Sequence, residues 1–249
     1  MFEGVRIVIK GLLFDINGTV TDIFTSESDD QLYRVTANFL DYYGVKIATC
    51  QLKRLYFELN REQRQQSPEE FPEFDVAGIF YEIIKRFKTR PIANIRQLAA
   101  TASIVFRAAG RYKLECYDGV YDILYSLKKQ YKLGAVSDGQ SLWAMPELYS
   151  VELAELFSPV IVSGDFGYRK PDLRLFERAL ASMQLFPDEV IFIGNDMYRD
   201  VYGGHAAGMK TVFFKSNQGD HDFHGAEADY IIYNFRELPR AIEFLTRQD

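Results

Sequence analysis

The chain is poor in the residue types that mark small disulfide-bonded and zinc-binding proteins. Its two cysteines, Cys50 and Cys116, lie far apart and outside any Cys-x-x-Cys arrangement. This excludes a disulfide framework and a tetrahedral cysteine site for zinc, and it favours the cytoplasm. Histidine is also scarce. We interpret residues 220–224, which contain two of the three histidines, as a solvated loop, and His205 as a residue that caps or packs a helix.

Long apolar runs and clusters of positive charge are missing as well. The longest apolar stretch near the start, Val5 to Ile16, is interrupted by Arg6 and Lys10 and is shorter than the roughly 20 residues of a membrane span. We therefore expect no signal peptide and no membrane anchor. With a net charge of -6 and no Lys/Arg run, the chain is not expected to bind nucleic acid or an anionic membrane.

The pattern of apolar residues changes along the chain. A run from Lys10 to Ile16 contains Asp15 near its end and leads into Asn17-Gly18-Thr19, which predicts a buried strand followed by a tight turn. The segment that follows has helical periodicity, with two prolines as breakers in the loop 66–72. It predicts four helices and no strand, over residues 29–43, 48–66, 75–87 and 92–109.

From Tyr117 onward, short apolar runs alternate with helical segments, as in strand–helix units around a parallel sheet. The predicted strands cover residues 132–136, 160–162, 190–193, 211–214 and 230–232. The predicted helices begin near Tyr121, Ser150, Asp172 and Arg199, and a last one covers 237–245. The sequence thus predicts an α/β fold: a doubly wound, Rossmann-like parallel-sheet core over 1–22 and 115–249, with an all-helical insertion over 23–114.

Four polar clusters follow predicted strands, at the edge of the sheet where ligands bind in such a core. They cover residues 15–22, 137–140, 165–170 and 195–200. In the first cluster, a carboxylate at Asp15 is placed to attack phosphorus or carbon, with Gly18 and Thr19 directly after it and backbone N–H groups to hold the displaced charge. Ser137 and Lys170 suit an anionic substrate.

The last cluster adds acidic residues. Asp196 and Asp200, taken together with Asp15, make an oxygen-rich site of the kind that magnesium prefers. Each cluster alone has a structural explanation, since Asn-Gly is typical of a turn and Lys-Pro of a helix boundary. Four clusters in order at strand ends favour one shared site. A Ser-His-Asp triad is not supported, because Ser137 lacks the Gly-x-Ser-x-Gly elbow.

The segment LLFDINGTV, residues 12–20, resembles the first motif of the haloacid dehalogenase superfamily, in which an apolar strand precedes Asp-x-Asp-Gly-Thr. Ser137 matches the second motif, Lys170 in residues 167–172 the third, and residues 194–200 the fourth. The helical insertion is similar to the cap domain of the branch that carries a cap after the first motif. The resemblance spans the whole predicted core.

The resemblance implies a hydrolase, most often a phosphatase of a small phosphorylated metabolite. Asp15 would form an aspartyl-phosphate, and Lys170 would steady the nucleophile and the transferring group. Four residues would bind the phosphoryl oxygens: Gly18, Thr19, Ser137 and Asp138. Magnesium would be held by Asp15, by the backbone carbonyl of Asn17 and by Asn195 or Asp196. Asp200 would not bind the metal directly but would support these ligands.

Two positions depart from the family pattern. Asn17 stands where family phosphatases have the Asp that protonates the leaving group, and losing a general acid/base typically costs about 100- to 10,000-fold in rate. Asn195 stands at the first acidic position of the fourth motif. Two alternatives therefore stay open: a metal-free 2-haloacid dehalogenase, and a ligand-binding or regulatory protein with weakened catalysis.

Substrate specificity is expected to reside in the cap. Side chains there that could contact a substrate, judged by chemistry alone, are Tyr33, Arg34, Tyr56, Arg61, Arg107 and Arg111. The sequence does not name the substrate, and it is compatible with a monomer or a homodimer.

Overall fold

The computed structural model describes residues 8–247. Its strands are β1 (Gly11–Phe14), β2 (Thr21–Thr25), β3 (Arg111–Cys116), β4 (Lys132–Ser137), β5 (Val160–Val162), β6 (Val190–Gly194), β7 (Lys210–Phe214) and β8 (Tyr230–Ile232). Its α-helices are α1 (Asp30–Tyr42), α2 (Thr49–Gln66), α3 (Val76–Phe87), α4 (Ile95–Gly110), α5 (Val120–Leu127), α6 (Ser141–Ser150), α7 (Leu173–Met183), α8 (Gly203–Ala206) and α9 (Leu238–Arg247).

Six strands form the central sheet in the order β5-β4-β1-β6-β7-β8, and all neighbouring pairs are parallel. Every residue of β1 and β6 is buried, as expected of strands covered on both faces. Phe14 of β1 lies opposite Ala135 of β4 and Ile193 of β6. The residues that follow β1, β4 and β6 therefore meet at one edge. The parallel α/β core is confirmed, as are its five later predicted strands.

The four predicted helices between the first strand and the rest of the core are confirmed as α1 to α4. Their apolar faces pack on one another around buried aromatic side chains, among them Tyr33, Tyr56, Phe80 and Phe106. Trp143 of α6 also joins this cluster. We retain the division at residues 22/23 and 114/115 as a prediction. No helix in residues 8–247 is long and apolar enough to cross a membrane.

The insertion is not entirely helical at its two ends. β2 and β3 pair antiparallel, with Thr21 opposite Cys116 and Ile23 opposite Leu114, where no strand was predicted. The segment RYKLEC of β3 does alternate polar and apolar residues, which is the strand signal. It is weak because the pair lies near the surface and buries few of its side chains, so the hydrophobic contrast is small.

The helix predicted to begin near Ser150 is wrong. The helix instead ends there: α6 starts at Ser141 and contains Pro146, a residue that removes a helix hydrogen bond and costs about 3 kcal/mol in a helix interior. The burial of Trp143, Ala144 and Leu148 on one face offsets this cost. Tertiary packing thus overrides the local breaker signal.

Residues 67–75, which we name the bridging loop, connect α2 to α3 and hydrogen-bond to the core. The backbone N–H of Arg169 donates to Phe71 O, and that of Glu73 donates to Gly167 O, each at 2.9 Å. Gln140 adds two hydrogen bonds: its Nε2 donates to Phe74 O at 2.6 Å, and its Oε1 accepts from Val76 N at 3.2 Å. The bridging loop thereby joins the helical insertion to the polar edge of the sheet.

Candidate active site

Asp15 is the first residue after the central strand β1, and its side chain is almost fully buried. Its backbone N–H donates to Ile193 O at 2.9 Å, which extends the strand pairing by one residue. Lys170 Nζ donates to Asp15 Oδ1 at 2.6 Å, and Thr19 Oγ1 donates to Oδ2 at 3.0 Å. Both carboxylate oxygens are thus held, which fixes the orientation of the group.

Lys170 bridges two buried carboxylates. Its Nζ lies 2.6 Å from Asp15 Oδ1 and 2.6 Å from Asp200 Oδ1. All three side chains are less than 10% exposed to solvent. Burial alone lowers the pKa of Lys170, but the two carboxylates outweigh it and raise that pKa above its ordinary value. Burial raises the pKa of Asp200, against the opposing effect of Lys170. The lysine therefore carries a fixed positive charge beside Asp15.

Asp200 also organises the turn after β6. Its Oδ2 accepts hydrogen bonds from the backbone N–H groups of Asn195 and Asp196, each at 3.0 Å. A Cβ at Gly194 would lie 2.3 Å from Asp200 Cβ, so only glycine permits this approach. Asn195 Oδ1 accepts from Thr19 Oγ1 at 3.1 Å. The turn therefore brings the Asn195 amide and the Asp15 carboxylate to the same threonine hydroxyl.

Asp196 is directed away from that hydroxyl. Its Oδ1 accepts from the backbone N–H groups of Tyr198 and Arg199, at 3.1 and 2.7 Å, and so caps the turn that leads to α8. Its Oδ2 accepts from Arg199 Nε at 2.9 Å and from Asp220 N at 3.1 Å. These hydrogen bonds lower the pKa of Asp196 against the effect of burial. Its lone pairs are already used, which leaves Asn195 as the better placed oxygen donor.

Gly18 and Thr19 form the turn after β1. Gly18 has a φ of +87°, a conformation that side chains disfavour, and a Cβ there would lie 2.3 Å from Asn195 Nδ2. Its N–H donates to Thr21 O at 2.7 Å. Thr19 is fully buried, and its single hydroxyl proton is shared between Asp15 Oδ2 at 3.0 Å and Asn195 Oδ1 at 3.1 Å. The Asn-Gly-Thr sequence thus makes the turn and also positions the site.

Asn17 lies at the wall of the site, where it lines two adjoining cavities of about 290 and 550 Å³. Its Oδ1 accepts from Thr21 Oγ1 at 3.1 Å. The side chain is partly exposed, so its amide is accessible to a bound molecule. An amide can donate a hydrogen bond, but it cannot give up a proton as a carboxylic acid does.

Ser137 ends β4, next to β1 in the sheet, and Asp138 follows it. Among residues 8–247 the Ser137 hydroxyl makes one contact, 3.4 Å long, with the Asp138 carbonyl, so it can bind a ligand. Asp138 Oδ1 accepts from the backbone N–H of Lys170 at 2.9 Å, and Oδ2 accepts from Arg169 at 3.3 Å. The Asp138 side chain therefore holds the segment that carries Lys170.

Sequence reasoning missed Glu73 of the bridging loop, which lines the 290 Å³ cavity together with Asn17. Glu73 is buried, and it accepts from Ser163 Oγ at 2.8 Å and from Phe74 N at 3.1 Å. Burial raises its pKa, although Arg169 and the hydrogen bond from Ser163 oppose the shift and Asp138 adds to it. No local pattern marks this residue, because only the tertiary fold brings the loop to the site.

Several other predicted residues have structural roles or lie apart from Asp15. Tyr33 and Tyr56 belong to the buried core of the helical insertion, while Arg107 pairs with Glu147 at 2.7 Å and lines the 550 Å³ cavity. His205 lies 2.8 Å from Asp229 and 2.9 Å from Thr211 Oγ1, as a packing residue of α8. Residues 220–224 form a loop, as predicted.

The donor set allows a test of the predicted magnesium site. Asp15 Oδ2 and Asn195 Oδ1 accept from the same hydroxyl, so the two oxygens lie near each other, and oxygen is the donor that magnesium prefers. Residues 8–247 contain no group of three or more His, Cys, Asp or Glu side chains arranged to hold a metal. The set therefore fits magnesium in donor chemistry but has a single carboxylate, with amide and backbone oxygens to complete it.

Comparison with known proteins adds a family and a set of relatives. The sequence profile of the family described as haloacid dehalogenase-like hydrolase matches residues 12–214. A glyceraldehyde 3-phosphate phosphatase of Pyrococcus furiosus is 35% identical over 134 residues, which are 53% of this chain and 55% of the relative. A protein of the same name from Methanothermobacter thermautotrophicus is 25% identical over 228 residues, 91% of this chain and 92% of the relative. The chain thus spans about half the length of the first relative but nearly all of the second.

Solved structures share the fold. A 2-haloacid dehalogenase from Pseudomonas syringae pv. Tomato DC3000 superposes with a TM-score of 0.69 at 20% identity, over 97% of this chain and 100% of that one. A phosphatase from Thermococcus onnurineus superposes with a TM-score of 0.58 at 22% identity, over 94% and 98% of the two chains. At these identities the likeness shows the architecture alone.

Proposed function

Because the chain belongs to the haloacid dehalogenase-like hydrolases, we propose that it hydrolyses a small phosphate monoester, with Asp15 as the nucleophile. The observation that carries this proposal is the Asp15 carboxylate held between Lys170 Nζ and Thr19 Oγ1 at the carboxyl edge of the central strand. The named relatives are phosphatases, which supports the hydrolysis of a phosphate ester over the removal of halide from a haloacid.

In the first step, an oxygen of Asp15 attacks phosphorus and the bond from phosphorus to the leaving-group oxygen breaks, which gives an aspartyl-phosphate. Lys170 stays protonated and offsets the negative charge that gathers on the attacking and transferring groups. The Ser137 hydroxyl and the backbone N–H of Asp138 bind the phosphoryl oxygens. The N–H groups of Gly18 and Thr19, which were expected to do so, donate instead to Thr21 O at 2.7 Å and to Ile16 O at 3.2 Å and so hold the turn beside Asp15.

Asn17 sets the character of the leaving-group step. Its amide can donate a hydrogen bond to the departing oxygen, but the proton itself must come from solvent or from the substrate. In the second step, water attacks phosphorus and releases phosphate and the Asp15 carboxylate. Without a carboxylate at residue 17 to take the water's proton, this step is slow as well.

Magnesium is the proposed cofactor. Asp15, the backbone carbonyl of Asn17 and the Asn195 amide would hold it, and Asp196 is left out because its oxygens cap the next turn. The ion supplies positive charge to the phosphoryl oxygens when bound.

The two cysteines, neither in a disulfide, support a cytoplasmic setting.

The test is a screen of phosphate esters with the native chain and the Asp15→Asn variant, each with magnesium. We expect phosphate release by the native chain, incorporation of labelled phosphate into it at Asp15, and loss of both in the variant. Chloride release from 2-chloro acids that resists chelators would instead establish a dehalogenase. Binding without turnover of either substrate class would establish the regulatory alternative.

A further inference from the structure

Three arginines, Arg64, Arg169 and Arg199, form what we name the arginine cluster. They come from helix α2, from the segment before Lys170 and from the turn after β6, and all three line the 290 Å³ cavity that Asn17 also lines. The cavity volume is close to the lower end of the range for small-molecule sites, so it suits a small metabolite. The cluster therefore adjoins the site at which the leaving group departs.

The wall of this cavity carries three guanidinium groups and the carboxylates of Glu73 and Asp138, and the guanidinium groups are the more exposed. The side chains of Arg64, Arg169 and Arg199 are 33%, 29% and 36% exposed. Their acidic partners lie behind them: the side chains of Glu73 and Asp138 are 2% and 6% exposed. A bound molecule therefore meets guanidinium groups first, while the carboxylates orient those groups from within the protein.

The guanidinium groups have unused hydrogen-bond donors. Each carries five N–H donors, yet Arg169 makes a single side-chain hydrogen bond among the described residues, to Asp138 Oδ2 at 3.3 Å. Arg64 Nη2 reaches Glu73 Oε1 at 3.4 Å. Arg199 already binds Asp196 through Nε and Nη2, at 2.9 and 2.8 Å, and only its Nη1 makes a long contact, 3.4 Å to Asp138 Oδ2. Strong charge-assisted hydrogen bonds are about 2.7–2.9 Å long, so the contacts of Arg64, of Arg169 and of Arg199 Nη1 leave room for a better acceptor.

A purely structural role explains the cluster less well. The long, partly exposed ion pairs of Arg64 and Arg169 contribute little to stability, because solvent screens them and long side chains lose entropy when they are held. Arg199 differs, since its short ion pair with Asp196 also holds the turn after β6. Arg64 is fixed by a hydrogen bond from its Nε to Asn60 Oδ1 at 3.1 Å and by stacking over the Phe74 ring at 5.2 Å. An arginine held in this way at a cavity wall is preorganised to bind an oxyanion.

We propose that the arginine cluster binds a carboxylate on the leaving group, so that the preferred substrates are phosphate esters with a second anionic group. A carboxylate is a small, planar oxyanion that matches the guanidinium fork with two hydrogen bonds. The inference rests on the proposed phosphatase function and narrows it, since a leaving group without charge would leave these donors unpaired.

Glycerol 3-phosphate and 3-phosphoglycerate make a matched pair of probes, because they share a three-carbon skeleton and differ by the carboxylate. We expect the native chain to favour 3-phosphoglycerate about tenfold or more in kcat/KM. The Arg64→Gln variant should lose about tenfold or more on 3-phosphoglycerate and far less on glycerol 3-phosphate. Arg64→Lys, which keeps charge but not the fork, should fall between. Arg54→Gln is the control, because Arg54 is exposed on the same helix and does not line this cavity.

Equal losses of Arg64→Gln on both substrates would overturn the inference, since they would place Arg64 on the transferring phosphoryl group or in the packing of the helices. No preference in the native chain would overturn it too. Thermal unfolding checks that each variant is folded, and Arg169→Gln provides a second variant from another element. Binding of both probes to the Asp15→Asn variant separates the two proposals: selective binding without turnover by the native chain would sustain the carboxylate site and refute the phosphatase.

Discussion

Replacing Asn17 by aspartate should convert a slow enzyme into a faster one. The two side chains have the same shape, and Thr21 Oγ1, which donates to Asn17 Oδ1 at 3.1 Å, can donate equally to a carboxylate. The amide nitrogen becomes an oxygen at the cavity wall, where it can carry a proton to the leaving group and take one from water. The variant thus restores the missing acid/base without a change in packing.

The size of the gain depends on the leaving group. A positioned acid/base contributes about 100- to 10,000-fold in rate, or about 2.7–5.4 kcal/mol of barrier. An alkyl phosphate should show this gain in kcat, because an alkoxide departs poorly unless it is protonated. The aryl ester p-nitrophenyl phosphate should gain far less in its first step, because nitrophenolate departs without a proton.

The assay measures phosphate release from both esters by the native chain and the Asn17→Asp variant. Asn38→Asp makes the same chemical change at an exposed position of α1 and should leave both rates unaltered. A folded Asn17→Asp variant with no gain on the alkyl ester would refute the reasoning, since a residue that lines the reaction cavity would then have no access to the leaving oxygen.

Three further predictions follow from the geometry of the site. Lys170→Met leaves Asp15 and Asp200 buried without a counter-charge, so urea denaturation should show a loss of about 3–5 kcal/mol at pH 8. The loss should be smaller at pH 5, because burial raises the pKa of Asp200 and this carboxylate can then bind a proton. Burial raises the pKa of Glu73 in the folded state, so the folded state binds this proton more tightly than the unfolded state does. The free energy of unfolding of the native chain, relative to that of Glu73→Gln, should therefore fall as pH rises from 4.5 to 8. A difference between the two free energies that stays constant with pH would contradict this. Gly18→Ala should lower the melting temperature and abolish phosphate release, because the residue has a φ of +87°.

The sequence located the polar edge of the sheet for a physical reason. Buried parallel strands appear as continuous apolar runs, and their carboxyl ends meet at one edge, so the sequence could place Asp15, Ser137 and Asn195 at that edge. That their three strands are neighbours is seen only in the structure. The sequence does not predict which oxygen of Asp15 Lys170 contacts, or at what distance. This contact depends on how a loop 155 residues away folds back over the sheet.

What could not be predicted depends on contacts between distant segments. Arg64 and Glu73 lie in an ordinary polar helix and a proline-containing loop, and nothing local shows that the loop reaches the sheet edge. Likewise, Asp196 and Asn195 are adjacent acceptors in the sequence. Only the hydrogen bonds from Arg199 and Asp220 to Asp196 show that its carboxylate caps a turn while the amide of Asn195 points to Thr19.

The bridging loop has a consequence for the kinetics of ligand entry. Separating the bridging loop from the core breaks the four hydrogen bonds described with the fold and the one from Ser163 Oγ to Glu73. At a net contribution of about 1 kcal/mol each, about one molecule in five thousand is open there at equilibrium. For a substrate that enters and leaves by this route, the association and dissociation rate constants both fall by the same factor, and the dissociation constant is unchanged. Gln140→Ala removes two of the four bonds, so it should speed both entry and escape while the chemistry at Asp15 is untouched.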